Sequence, residues 1–260
     1  MQPKPAKRRG GVRALAPIVR AADAAIGALL GYDEVAARVR RYVADHEAPG
    51  DDRAAFERLC VVIFAQGIGF PLVAAKIDAL RSAFSSFAPS EVAGFEEARV
   101  DALVHTAGLI RNRAKIEACV ENARRWVQAS PEGGSYLGRI ASVAAVDDAA
   151  AGWPQLVALV RGDFARIAET AARLILKRWG FFTACAHPGV RRLTQRLEVL
   201  APNAEHADVQ RLVGAAAQRI GRDPYSVEAG LALFAGVGPC RPKPDCSRCA
   251  LAERCPSAFS

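Results

Sequence analysis

What this chain lacks narrows it first. No stretch is both long and apolar enough to span a bilayer, since the best candidate, AADAAIGALLGY, is short and broken by Asp23. The first twenty residues carry Lys4, Lys7, Arg8, Arg9, Arg13 and Arg20 but no acid, and they have no unbroken apolar core of the kind a secretion signal needs. A soluble, cytoplasmic protein is therefore expected. Residues 1–19 read as a basic flexible tail that either adds phosphate contacts or is simply solvated. Strictly alternating apolar and polar residues are also missing, which removes the usual sign of a sheet. Cysteine is odd in number, seven in all, and with no export signal this fits a reducing compartment better than a disulfide framework.

What is present points to helices. The 260 residues are 51% hydrophobic, and their Pro and Gly fall at spaced breaks, enough for one large globular domain or two smaller ones. Phe56, Leu59 and Ile63, and then Ile116, Cys119, Ala123 and Val127, recur every three to four positions, the period of an amphipathic helix. Pro71, Pro89 and Gly108 punctuate these runs, and the expected fold class is all-α. A net charge of +8 and a pI near 9.4 favour an anionic partner, of which nucleic acid is the commonest.

Four of the cysteines crowd into CRPKPDCSRCALAERC, at Cys240, Cys246, Cys249 and Cys255. Four thiolates on one loop suit a tetrahedral zinc or a cubane iron-sulfur cluster. A zinc ribbon usually offers two C-x2-C pairs. Here one pair is flanked by single cysteines, which suits a loop wrapped around a larger cluster; the alternative is four small buried apolar residues. Cys60, Cys119 and Cys185 lie in apolar segments and read as core.

This loop resembles the C-terminal [4Fe-4S] loop of the endonuclease III class of helix-hairpin-helix (HhH-GPD) DNA glycosylases, although the family usually has one more residue between the first two cysteines. The resemblance runs over roughly residues 50–260 and also rests on VIFAQG, GLIRNRAKIEA and VRRLTQRL. GLIRNRAKIEA is equally similar to the 3-methyladenine DNA glycosylases of type I, where a glutamate that reads the alkylated base falls at Val62 of this chain. The resemblance implies two lobes with DNA across the cleft between them. One is a six-helix lobe over 49–181; the other is a cluster lobe from 20–48 together with 182–260. It also implies a [4Fe-4S] cofactor on the four cysteines, with Arg241, Lys243 and Arg248 facing phosphate. Gln66 is implied as the side chain that enters the minor groove when a base is extruded, against the alternative of a helix-end glutamine. Arg111, Arg113, Lys115, Arg166, Arg191 and Arg192 are candidate phosphate contacts, or else ordinary solvated charges.

Three positions depart from the family. DFARI replaces its glycine-bearing hairpin, and Asp163-Phe164-Ala165-Arg166 is not expected to reproduce that turn easily. Glu169 stands where bifunctional members have a Schiff-base lysine, which excludes lysine-based lyase chemistry. His187 stands where nearly all members have an aspartate. Together Glu169 and His187 still supply one carboxylate and one potential cation, so Glu169 is the candidate to stabilise the sugar cation and His187 to position water or protonate the leaving base. The expected function is a monomeric, monofunctional glycosylase acting on damaged double-stranded DNA at the nucleoid. The alternative is a catalytically degenerate cluster protein that binds DNA or recognises lesions.

Overall fold

The structure, a computed structural model, describes residues 11–44, 47–130, 132, 134–148, 153–181 and 188–259. Among these residues there are helices and connecting turns but no strand, so the all-α expectation holds. The chain opens with α1 (Gly11–Leu30) and α2 (Tyr32–Ala44). Next come α3 (Asp52–Ala65), α4 (Phe70–Ala74), α5 (Ile77–Ala83), α6 (Pro89–Ala93), α7 (Glu97–His105) and α8 (Arg113–Ala129). Then follow α9 (Tyr136–Ala144), α10 (Pro154–Asp163), α11 (Glu169–Arg178), α12 (Pro188–Arg196), α13 (His206–Ile220) and α14 (Pro224–Gly236). They fall into two compact units, Met1–Glu47 with Phe182–Ser260, and Ala48–Phe181.

The first unit is built on α1, which packs against α13 and α14. Leu15, Ile18, Val19, Ala22 and Ile26 are all buried, and their spacing of three and four puts them on one stripe. Residues 11–19 are therefore the start of a core helix and not part of a flexible tail. The basic residues at its edges hid the apolar period between them. Helix α13 opens with a reciprocal capping box between Glu205 and Asp208, and α14 with Asp223 accepting the Tyr225 amide at 2.9 Å. Cys240 and Leu251 belong to the same buried cluster as Ile26, Val213 and Phe234, which ties the cysteine loop to this core.

The second unit has nine α-helices among its described residues, more segmented than the six expected, because Gly69, Pro71 and Pro89 open new short helices instead of ending long ones. Its centre is α3. From Leu59 to Ala65 every residue of α3 is buried, as expected of a helix enclosed on all sides. Around it lies an aromatic cluster in which the Trp126 ring sits 5.5 Å from Phe56, 4.6 Å from Tyr136 and 5.6 Å from Trp179.

Asp52, in the first turn of α3, joins three helices. It accepts from Trp126 Nε1 (3.1 Å), Ser135 Oγ (2.8 Å) and the amides of Tyr136 (2.9 Å) and Leu137 (3.1 Å). Burial alone would raise its pKa. The four hydrogen bonds outweigh that and hold the carboxyl below its ordinary 3.8. A carboxyl lowered on folding stabilises the fold above its unfolded value and loses that contribution as pH falls through the folded value. Asp52→Ala should thus cost about 2–4 kcal/mol of unfolding free energy near neutral pH. Urea titrations of both proteins check this, and the gap between them should narrow as pH falls below 3.8 and on through the lower folded value.

Candidate nucleic-acid interface

Within Ala48–Phe181, α3 ends in a tight turn. Gln66 has φ −57° and ψ 122°, Gly67 has φ +77°, and the Ile68 amide donates to the Ala65 carbonyl at 3.2 Å. These are the features of a type II turn, which needs a residue tolerant of positive φ at its third position, and Gly67 supplies it. A second amide, of Gly69, reaches the same Ala65 carbonyl at 2.8 Å. The tip is exposed at Gln66 and carries uncovered apolar surface on Ile68 (39% exposed) and Leu72 (48%). Sequence reasoning singled out Gln66 but not the exposed Ile68 and Leu72, for which the Gly-Ile-Gly spacing was the available signal. Phe70, which begins α4, lies under the Arg178 guanidinium at 5.0 Å. Val62, one turn back, is 1% exposed and lies inside the core.

Two basic residues expected at phosphates are used inside the fold. The Lys115 ammonium donates to the carbonyls of Phe64 (2.6 Å) and Gln66, and Arg113 pairs with Glu97 (2.7 Å), Asp101 and Glu117 (3.3 Å). Burial holds Lys115 below the usual lysine range, partly offset by the nearby Cys119. Arg111 remains exposed.

The connection between α10 and α11 is a turn without glycine. Arg166 itself takes the left-handed conformation, φ +60°. Asn122, fully buried on α8, clamps the turn from below by donating to the Ala165 carbonyl (3.2 Å) and accepting the Ala165 amide (2.7 Å). Arg166 is exposed, with one contact to the Ala114 carbonyl at 3.3 Å. Glu169, the first residue of α11, is exposed and paired with Arg173 at 3.0 Å. Two open grooves flank α8. One, of about 560 Å³, is lined by Arg124, Arg125, Arg139 and Asp163 among others; the second, of about 300 Å³, reaches Glu117 and Arg166. Glu169 lines neither of them. His187 and Cys185 lie outside the described residues.

In the other unit, Cys240, Cys246, Cys249 and Cys255 line one small pocket with Arg196. Burial first, then the proximity of the other three thiols, push Cys249 up, against a backbone hydrogen bond from Leu251. Among the described residues, no three His, Cys, Asp or Glu side chains are gathered as ligands of a single ion. Helix α12 braces the loop. Arg196 donates to the carbonyls of Arg241 (2.8 Å) and Pro242 (3.1 Å) and lies 3.5 Å from Cys240 Sγ; Arg192 holds the carbonyls of Ala235 (2.8 Å) and Cys240 (3.3 Å). Arg191 donates to the Ala204 carbonyl at 3.0 Å. Arg191 and Arg192 are thus engaged with backbone, while Arg241, Lys243 and Arg248 are exposed.

Residues 43–158 match the family model described as Methyladenine glycosylase. The DNA-3-methyladenine glycosylase 1 of Escherichia coli (strain K12) is 34% identical over 87 residues, 34% of this chain and 46% of the relative. The DNA-3-methyladenine glycosylase of Haemophilus influenzae is 35% identical over 77 residues, 30% of this chain and 42% of the relative. The chain therefore spans about half the length of these curated relatives. A crystal structure of 3-methyladenine DNA glycosylase I superposes with a TM-score of 0.46 at 24% identity, covering 52% of this chain and 82% of that one. The Staphylococcus aureus 3-methyladenine DNA glycosylase I gives 0.46 at 21%, covering 54% and 81%. The similarity found is thus to the methyladenine glycosylases and not specifically to the endonuclease III class. The family match ends at residue 158, before the hairpin and the cysteine loop.

The hairpin geometry yields a paired expectation. Asn122→Ala leaves the Ala165 amide without its partner in a buried place and should cost about 2–3 kcal/mol. Arg166→Gly relieves a left-handed side-chain residue and should stabilise by about 0.5–1 kcal/mol, net of the extra freedom glycine has when unfolded. Equilibrium urea unfolding measures both.

Proposed function

We propose that this protein is a base-excision repair DNA glycosylase that binds damaged duplex DNA, extrudes an altered base and hydrolyses its N-glycosidic bond without a lyase step. The observation carrying this is the turn at Gln66. An exposed polar tip, backed by Ile68 and Leu72 and fixed by Gly67, lies within the segment that matches the methyladenine glycosylases. Entering a base stack takes apolar surface to replace the lost stacking and a polar end to meet the orphaned base edge. Exposed Arg111, Arg166, Arg241, Lys243 and Arg248 provide phosphate contacts. In the chemical step the base leaves with the bonding electrons and water adds to the sugar carbon. Glu169 stabilises the sugar cation and orients that water, and His187 carries the proton to the base. With glutamate at 169 no Schiff base forms there. With a buried valine at 62, no carboxylate at that position reads the base.

Cys240, Cys246, Cys249 and Cys255 would hold a structural [4Fe-4S] cluster. The donor set supports this reading, with four soft sulfurs lining one pocket. Cytoplasmic placement and action as a monomer complete the reading.

A second reading has its own support. Glu169 is exposed and already paired with Arg173, an arrangement that gives a carboxylate little of the dry environment catalysis uses. In that case the protein recognises lesions without cutting. Purified protein tested on duplexes carrying uracil, hypoxanthine, alkylated purines or oxidised bases separates the two. The glycosylase reading expects abasic sites from at least one lesion, falling roughly 100-fold in Glu169→Gln with duplex affinity retained. Tight lesion binding with no base released supports the second reading, and affinity insensitive to salt contradicts both. Iron and acid-labile sulfide, about four of each per chain, should be found after anaerobic preparation and be lost in Cys246→Ser.

A further inference from the structure

The end of α3 leaves carbonyls that its own helix cannot satisfy, and three of them have specific partners. The Ala65 carbonyl takes the Ile68 and Gly69 amides at 3.2 and 2.8 Å. Those of Phe64 and Gln66, on either side, both take the ammonium of Lys115, which arrives from the first turn of α8. That first turn is itself fixed, since the Lys115 amide donates to the Asn112 side chain at 3.1 Å. A cation at the N-terminal end of its own helix is unfavourably placed with respect to that helix dipole, but the same cation lies at the C-terminus of α3, where it is favoured. Lys115 is half-buried and has its charge directed at backbone oxygens, so it is poorly disposed to serve a phosphate as well.

We propose that Lys115 is a positioning residue that holds the Gln66–Ile68 turn in its inserting shape, acting on DNA through that turn and not through a phosphate. The inference rests on the DNA reading above. A tip pushed into a base stack works only if it does not yield, and a charged donor bridging the carbonyls on both sides of the turn provides that stiffness. The residue was a phosphate candidate by composition, and its position in the structure changes its role.

Two measurements test this. In DNA-free protein, hydrogen exchange at the Ile68 and Gly69 amides should accelerate roughly tenfold or more in Lys115→Met, with exchange in α13 and α14 unchanged and the loss largely rescued in Lys115→Arg. With a duplex carrying 2-aminopurine beside the lesion, the fluorescence rise that reports base extrusion should fall roughly tenfold in Lys115→Met, with no further loss when Gln66→Ala is added. The salt slope of binding should stay as in wild type, whereas loss of a phosphate contact lowers it by about one. Unchanged exchange, or an unchanged fluorescence rise with a reduced slope, overturns the proposal. If wild type itself gives no fluorescence rise while exchange behaves as expected, the DNA reading is the one that fails.

Discussion

The end of α3 is the constraint on which the second unit depends. A helix buried on nearly all sides must still end, and its final carbonyls emerge where water and ligand can reach them. Here the chain meets that requirement with a lysine from α8 and with a turn whose positive φ glycine at position 67 supplies without strain. The consequence is a surface tip joined rigidly to the core, with Gln66 and Ile68 displayed on it. Asp52 performs the matching service at the other end of the helix, accepting from α8 and the start of α9. Helix α3 is thus pinned at both ends by charged groups, Lys115 with two hydrogen bonds and Asp52 with four.

Basic residues in this protein divide into two populations that composition cannot separate. Arg113, Lys115, Arg191, Arg192 and Arg196 are consumed by carboxylates and backbone carbonyls. Arg111, Arg241, Lys243 and Arg248 stay exposed. The first population explains how loops with little apolar content are held. The cysteine loop is the clearest case, since guanidinium groups of α12 hold its backbone while Cys240 and Leu251 anchor it in the apolar cluster.

Local periodicity made the helices of the central segment readable from the sequence, because α3 and α8 carry apolar residues at helical spacing. It failed at residues 11–19, where Arg13 and Arg20 drew attention away from Leu15, Ile18 and Val19 between them. The four cysteines announced themselves by spacing. Lys115 and Arg113 did not, because the destination of a long side chain is decided by elements tens of residues away. Asn122 left a trace that could have been used: it is a polar residue on the apolar stripe that includes Cys119 and Trp126, and a buried amide in such a place usually has a backbone to hold. The turn before α11 depends on the same side chain. Arg166 holds a positive φ there, next to the Ala165 backbone that the buried Asn122 side chain fixes.

The central claim is that the turn at Gln66 enters DNA, and the most direct measurement places a photoreactive phenylalanine analogue at Ile68. Irradiation with a duplex holding one lesion should join the protein to nucleotides within a base pair or two of that lesion, while the same analogue at Val146, which is also exposed, should give no such product. Equal crosslinking from both positions, or products spread evenly along the duplex, would contradict the account.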